Sequence, residues 1–169
     1  MSEAGRNGGG VRLGLALTAG AAVLVALAYA ALGQDGPASA VTFLGKDVAP
    51  AALELGSRIY AQNCASCHGK NLEGQPDWKR RLANGRMPAP PHDATGHSWH
   101  HSDQDLFKTT KEGLAAVVPG YESDMPVFGA SLSDDEITAV LAYLKSTWPE
   151  RQRAFQAEVT RNADLEDGP

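Results

Sequence analysis

The chain has 169 residues, a length for one domain with a modest core plus terminal extensions, and its 18 glycines and 10 prolines point to long loops. The formal net charge of −5 is spread along the sequence, which excludes the basic stripe that nucleic-acid binding requires. No internal repeat is visible.

No charged residue occurs between Arg12 and Asp35, and the apolar run from Leu13 to Gly33 is long enough as a helix to cross roughly 30 Å of hydrocarbon. Residues 13–33 are therefore expected to form one transmembrane anchor. Arg6 and Arg12 precede the run and no Lys or Arg follows before Lys46, so residues 1–12 are expected in the cytoplasm and the remainder outside it. A cleaved signal peptide is the competing reading, with small-residue sites at Ala28-Tyr29-Ala30 and Ala38-Ser39-Ala40. Signal-peptide apolar cores run only about 7 to 15 residues, which favours the anchor. Lipidation is disfavoured because no cysteine follows the run where a lipid would attach.

Residues 34–49 are mixed, with Gly, Pro and Ser, and are expected to be a linker to a domain spanning 50–148. From Ala51 to about Asn63, Leu55, Gly56, Ile59 and Tyr60 recur at helical spacing. Gly56 on that face lets another helix approach closely. From Gly69 to His101 the chain is Gly- and Pro-rich without a sustained period, a loop long enough to wrap something large. The next helix begins at Ser102-Asp103-Gln104-Asp105 with Ser102 as N-cap, stops at Gly113, and turns Leu106, Phe107 and Thr110 inward.

The last core helix has Ser133 as N-cap, Glu136 closing a capping box, and an apolar face of Ile137, Val140, Leu141 and Leu144 beside Tyr143. Pro149 ends or restarts it, and residues 149–169 are expected to be a partly helical surface extension that frays.

Both cysteines lie in Cys64-Ala65-Ser66-Cys67-His68, the attachment pattern of c-type haem. Two thiols three positions apart reach the two vinyl groups on one side of a porphyrin, and the next residue places an imidazole under the iron. A thioredoxin-like dithiol needs a βαβ context and a tetrahedral zinc site needs four ligands; neither is present in the sequence pattern. The cofactor expected is one covalent haem c held by Cys64 and Cys67, with His68 as the proximal axial ligand.

Met125, in Tyr121-Glu122-Ser123-Asp124-Met125-Pro126-Val127-Phe128-Gly129, is the expected distal ligand, because a soft thioether favours ferrous iron and raises the potential. The chain resembles a class I, single-haem cytochrome c of the membrane-anchored bacterial type. That resemblance rests on a helix ending in Cys-x-x-Cys-His, a long loop, a Met-Pro loop and a final helix reading Ile137-Thr138-Ala139-Val140-Leu141-Ala142-Tyr143-Leu144-Lys145, and covers about residues 50–148. It implies an all-α fold of three to four helices around the haem, with Gly56 and Tyr60 crossing the last helix at Val140 and Tyr143. It also implies a backbone carbonyl near a proline that accepts from the proximal imidazole. Pro88, Pro90 and Pro91 are all candidates, since the pattern departs from the common Gly-Pro-x-Leu form.

Met87 also precedes a proline, but lies twenty residues beyond Cys67 with no helix docked behind it, a poor fit to reaching the far haem face. A histidine is a further alternative as sixth ligand. Four of the five histidines, His92, His97, His100 and His101, fall in one stretch and raise the question of a second metal, copper or zinc. Because they precede a capped helix, an extended or turn conformation that separates His97 from His101 is expected, with Asp93 and Asp103 as ordinary surface carboxylates. Trp99 is expected against or near the haem, with the histidines bonded to loop backbone or a propionate. The run Lys79-Arg80-Arg81 after Trp78 is expected to be a solvated face with some share in propionate neutralisation or partner docking.

The function expected is that of a single-electron carrier tethered to a bacterial inner membrane, with its haem domain on the periplasmic side. Its partners would be a redox donor and acceptor, respiratory membrane complexes, with no small-molecule substrate. Two other readings are a haem-bearing subunit of a larger oxidase or dehydrogenase, and a haem enzyme or gas sensor with an open iron position.

Overall fold

The computed structural model describes residues 40–167, so the run at 13–33 read as an anchor lies outside the described residues. Among the described residues no helix is long and apolar enough to cross a membrane. They form two short strands, β1 (Thr42–Phe43) and β2 (Lys46–Asp47), and five α-helices: α1 (Pro50–Asn63), α2 (Ala65–His68), α3 (Asp103–Glu112), α4 (Asp134–Thr147) and α5 (Glu150–Asp167). The helical class expected from the sequence is met, with more helices than three to four and a small hairpin besides.

α1 opens with proline at its first position, where the missing N–H costs nothing and φ is already helical. Its inward residues are Gly56, Ile59 and Tyr60. α4 is closed at its N-terminus by the capping box: Ser133 Oγ accepts from the Glu136 N–H and Glu136 Oε2 accepts from the Ser133 N–H. The two helices cross where Gly56 lies. A Cβ there would stand 2.0 Å from the Ala139 carbonyl oxygen and 2.8 Å from Tyr143 Cβ, so only glycine permits this approach. The crossing is thus at Ala139 and Tyr143; Val140, expected at the contact, turns into the core at 2 % exposure. Ile59, Tyr60, Leu72, Ile137, Leu141 and Leu144 complete that core.

Two segments differ from the sequence expectation. Residues 42–47, read as linker, form a hairpin with Phe43↔Lys46 and Thr42↔Asp47 paired. Its two-residue turn takes positive φ at both Leu44 (48°) and Gly45 (73°), as a type I′ turn demands. Phe43 is 1 % exposed and joins the core, so the folded unit begins before Pro50. Residues 150–167, read as a fraying extension, are one continuous helix. What docks α5 is largely polar, joined by Phe155 packed against Trp99 and His100, which is why no hydrophobic stripe announced it.

The docking point is Asp103, expected on the surface and in fact 2 % exposed. Lys145 Nζ donates to both of its oxygens, at 3.0 and 3.2 Å. Gln156 Nε2 donates to Oδ1 at 2.7 Å, and the Leu44 N–H of the hairpin turn donates to Oδ2 at 2.9 Å. Its own N–H donates to Thr160 Oγ1. One carboxylate at the start of α3 therefore holds the hairpin, α4 and α5 together.

Replacing Lys145 with Met should cost about 3–5 kcal/mol in urea unfolding, because the Asp103 carboxylate would stay buried without its cation. An unchanged unfolding midpoint would show that the pair contributes nothing.

Candidate haem site

Cys64 terminates α1 and caps α2, so the two thiols and His68 lie within one turn: the Cys67 and His68 N–H groups both donate to the Cys64 carbonyl, at 3.1 and 2.9 Å. Tyr60 OH donates to the Gly69 carbonyl at 2.7 Å and pins the end of that turn to α1. The two cysteines form no disulfide with each other. Burial, with the neighbouring Cys67, pushes the Cys64 thiol up to about 11, whereas Cys67 is exposed.

His68 is 8 % exposed. Its Nδ1 lies 2.8 Å from the Pro90 carbonyl oxygen, which selects Pro90 from the three prolines weighed. A carbonyl only accepts, so Nδ1 carries the proton and the lone pair is on Nε2, the nitrogen free to coordinate. Burial lowers the pKa of His68, and the Pro90 bond partly offsets this, so the ring is neutral as a metal ligand must be.

Met125 is half-buried. Its N–H donates to Ser123 Oγ, and its loop is fastened to α3 by Phe128 N–H to Thr110 O at 3.1 Å and Gly129 N–H to Lys111 O at 2.9 Å. Arg86 pairs with Asp124, next to Met125, and its Nε lies 3.9 Å from Glu122 Oε2. The loops that carry Met87 and Met125 therefore meet through Arg86. Met87 is half-buried as well.

The histidine stretch is less extended than expected. A 3-10 turn at Ser98–His100 brings the rings of His97 and His101 to 5.4 Å, edge to face. His97 also stacks on Trp78 at 5.4 Å, and Trp99 packs on His100 and Phe155. Among the described residues no three His, Cys, Asp or Glu side chains are grouped to hold a metal ion. His92 stands apart from its neighbours: its ring stacks on His68 at 4.0 Å with 24° between planes. The sequence did not signal this contact, nor the Arg86–Asp124 pair.

The cytochrome c family model matches residues 53–148, more than half of the chain. The chain belongs to the cytochrome c family. It is also 33 % identical over 95 residues to the cbb3-type cytochrome c oxidase subunit CcoP of Azospirillum brasilense. That match covers 56 % of this chain and 28 % of the relative, so the chain corresponds to a minor part of it. No solved structure matches.

Family membership brings covalently bound haem c, and the residues present suit it. The donor set is two cysteines not joined to each other and an imidazole whose outer nitrogen is already bonded to Pro90. Three of the large apolar side chains left exposed, Leu82 (46 %), Val118 (47 %) and Val127 (55 %), lie on the loops that carry Met87 and Met125. Exposed apolar surface concentrated there is what a fold completed by an apolar cofactor presents.

His97 and His101, both exposed residues, have pKa values lowered by partial desolvation first and then, for His97, by repulsion from His101, His100 and Lys79; His101 is partly restored by Asp105 and lowered further by His100. His92 is lowered well below the ordinary value by burial, then by His68 and His97. A histidine whose folded pKa is depressed takes up a proton on unfolding, so its stabilisation is present above about pH 6.5 and lost as pH falls towards the folded value. Urea midpoints should therefore fall between pH 7 and pH 5.5, and less steeply after His97→Gln with His101→Gln. Parallel profiles for the two proteins would contradict this.

Proposed function

We propose that this cytochrome c domain carries single electrons through a haem attached at Cys64 and Cys67, with His68 as proximal and Met125 as distal ligand. The observation that carries the reading is the His68–Pro90 bond, which leaves Nε2 as the coordinating nitrogen beside the two thiols. The haem iron supplies the chemistry by cycling between Fe(II) and Fe(III). The chain supplies fixed ligands: His68 is held in its plane by Pro90, and the Met125 loop is fastened at both ends, to Arg86 through Asp124 and to α3 through Phe128 and Gly129. Such anchoring limits movement when the iron changes charge. The apolar run at 13–33 supports placing the domain on the periplasmic side of a bacterial inner membrane, tethered there by the N-terminal segment.

The second reading, a haem-bearing subunit of a larger oxidase or dehydrogenase, is favoured by the likeness to the A. brasilense oxidase subunit. Its donor and acceptor would then lie in one assembly. Purification in mild detergent separates the two: a stoichiometric complex supports the subunit, and a haem protein migrating alone supports the carrier.

Met125→Ala should abolish the weak Met-to-iron absorption band of the ferric protein and lower its reduction potential, whereas Met87→Ala should leave both in place. The reverse pattern would transfer the ligand role to Met87. Loss of neither band nor potential in either variant would remove thioether ligation from the reading.

A further inference from the structure

His92 is held more firmly than a loop residue requires. Its N–H donates to the Leu72 carbonyl at 2.8 Å, and its own carbonyl accepts from Trp148 Nε1 at 2.7 Å, with Trp148 itself 2 % exposed. Its ring Nδ1 is 2.8 Å from the hydroxyl of buried Ser98. Leu72 accepts this bond from a left-handed conformation, φ 68°, which a residue with a Cβ adopts only against a steric cost. Gly96 lets the loop fold back on itself, since a Cβ there would stand 1.9 Å from the Pro91 carbonyl oxygen. The backbone, a tryptophan from the end of α4 and a serine thus all fix one imidazole.

What they fix it against is His68. The two rings are 4.0 Å apart and nearly parallel, while Tyr60 meets the His92 ring edge-on at 6.4 Å. The Pro90 carbonyl restrains His68 at one atom in the ring plane, and a hydrogen bond to one atom still allows the ring to rock about it. A flat partner against the ring face removes that remaining freedom. Offset stacking of flat rings is favourable beyond burial, enough to bias an orientation of modest cost.

We propose that His92 is a positioning residue for the proximal ligand: it clamps the face of the His68 imidazole and thereby sets the ring's orientation over the haem and its shielding from water. The proposal rests on the reading of His68 as proximal ligand. Partners beyond the first ligand orient metal-bound histidines and tune the metal, and in a low-spin ferric haem the imidazole plane sets the anisotropy of the electron paramagnetic resonance spectrum.

The test uses the full-length holoprotein with His92→Leu, which keeps apolar volume but no flat face, and His92→Phe, which restores the face without the Ser98 bond. The leucine variant should show a changed or broadened largest g value and a lower reduction potential, with its Met-to-iron band retained. The phenylalanine variant should return both quantities towards those of the unsubstituted protein. A leucine variant indistinguishable from the unsubstituted protein overturns the proposal, as does a phenylalanine variant displaced as far as leucine. If His68→Ala keeps the unsubstituted low-spin spectrum, the proximal assignment itself fails. With that assignment intact, the leucine and phenylalanine outcomes judge His92 alone.

Discussion

The contact of α1 with α4 at Gly56 decides where the chemistry can occur. α1 leads into the two cysteines and His68, and the Met125 loop runs into α4, so the crossing sets the position of one of these segments relative to the other. With Ala139 O only 2.0 Å from where a Cβ would be, any side chain at position 56 would push the helices apart. The displacement would reach both segments, because each is continuous with one of the crossing helices. Tyr60 reinforces the geometry from the same face of α1: its ring lies 5.8 Å from Tyr143, and its hydroxyl holds the Gly69 carbonyl just beyond His68. Packing at the crossing and order at the proximal turn are thus coupled through one side chain.

A second layer of the fold is organised by polar burial. Asp103, Lys145 and Gln156 are nearly inaccessible, and they join four elements far apart in sequence. A buried ion pair of this kind is weak as a source of net stability, since desolvation opposes the Coulomb gain, yet it penalises arrangements that leave either charge unpaired. Its effect here is to define how α5 and the hairpin sit on the helices that carry the site. α5 is the helix that a hydrophobic criterion misses: its inward residues are Gln156 and Thr160, while Phe155 and Leu165 remain exposed.

This explains which parts of the molecule were legible in its sequence. The caps at Ser102 and Ser133, the stop at Gly113 and the apolar face of α4 are local signals, each needing only a few neighbouring residues, and the structure shows them where expected. The Cys64–His68 turn is likewise local, and its chemistry follows from spacing. Most of the missed features depend on partners distant in sequence. Asp103 looks like any first-turn aspartate until Lys145 and Gln156 are folded over it; Phe43, in a short apolar stretch with Val41 and Leu44, shows no helical or long strand period until it meets the core. The selection of Pro90 over its neighbours depends on the path of a loop without periodicity. His97 and His101 approach because three intervening residues take a 3-10 turn, a conformation that no capping pattern announces.

The loop between Gly69 and His101 therefore does more than enclose a large group. Three bonds tie it down: Gln75 N–H donates to the Ala89 carbonyl and His92 N–H to Leu72 O within the loop, and His68 Nδ1 donates to Pro90 O from the preceding helix. These bonds join the start of the loop and the turn before it to residues 89–92, so the loop is stitched together around the His68 imidazole. Trp148, at the end of α4, closes the same region by donating to His92 O. A loop held at this many main-chain points behaves as an element of fixed structure despite its composition, because its backbone groups are satisfied in one arrangement only. For a domain whose task is to change the charge of an iron without moving its ligands, rigidity has to come from such bonds, since helices supply only the ends of the site.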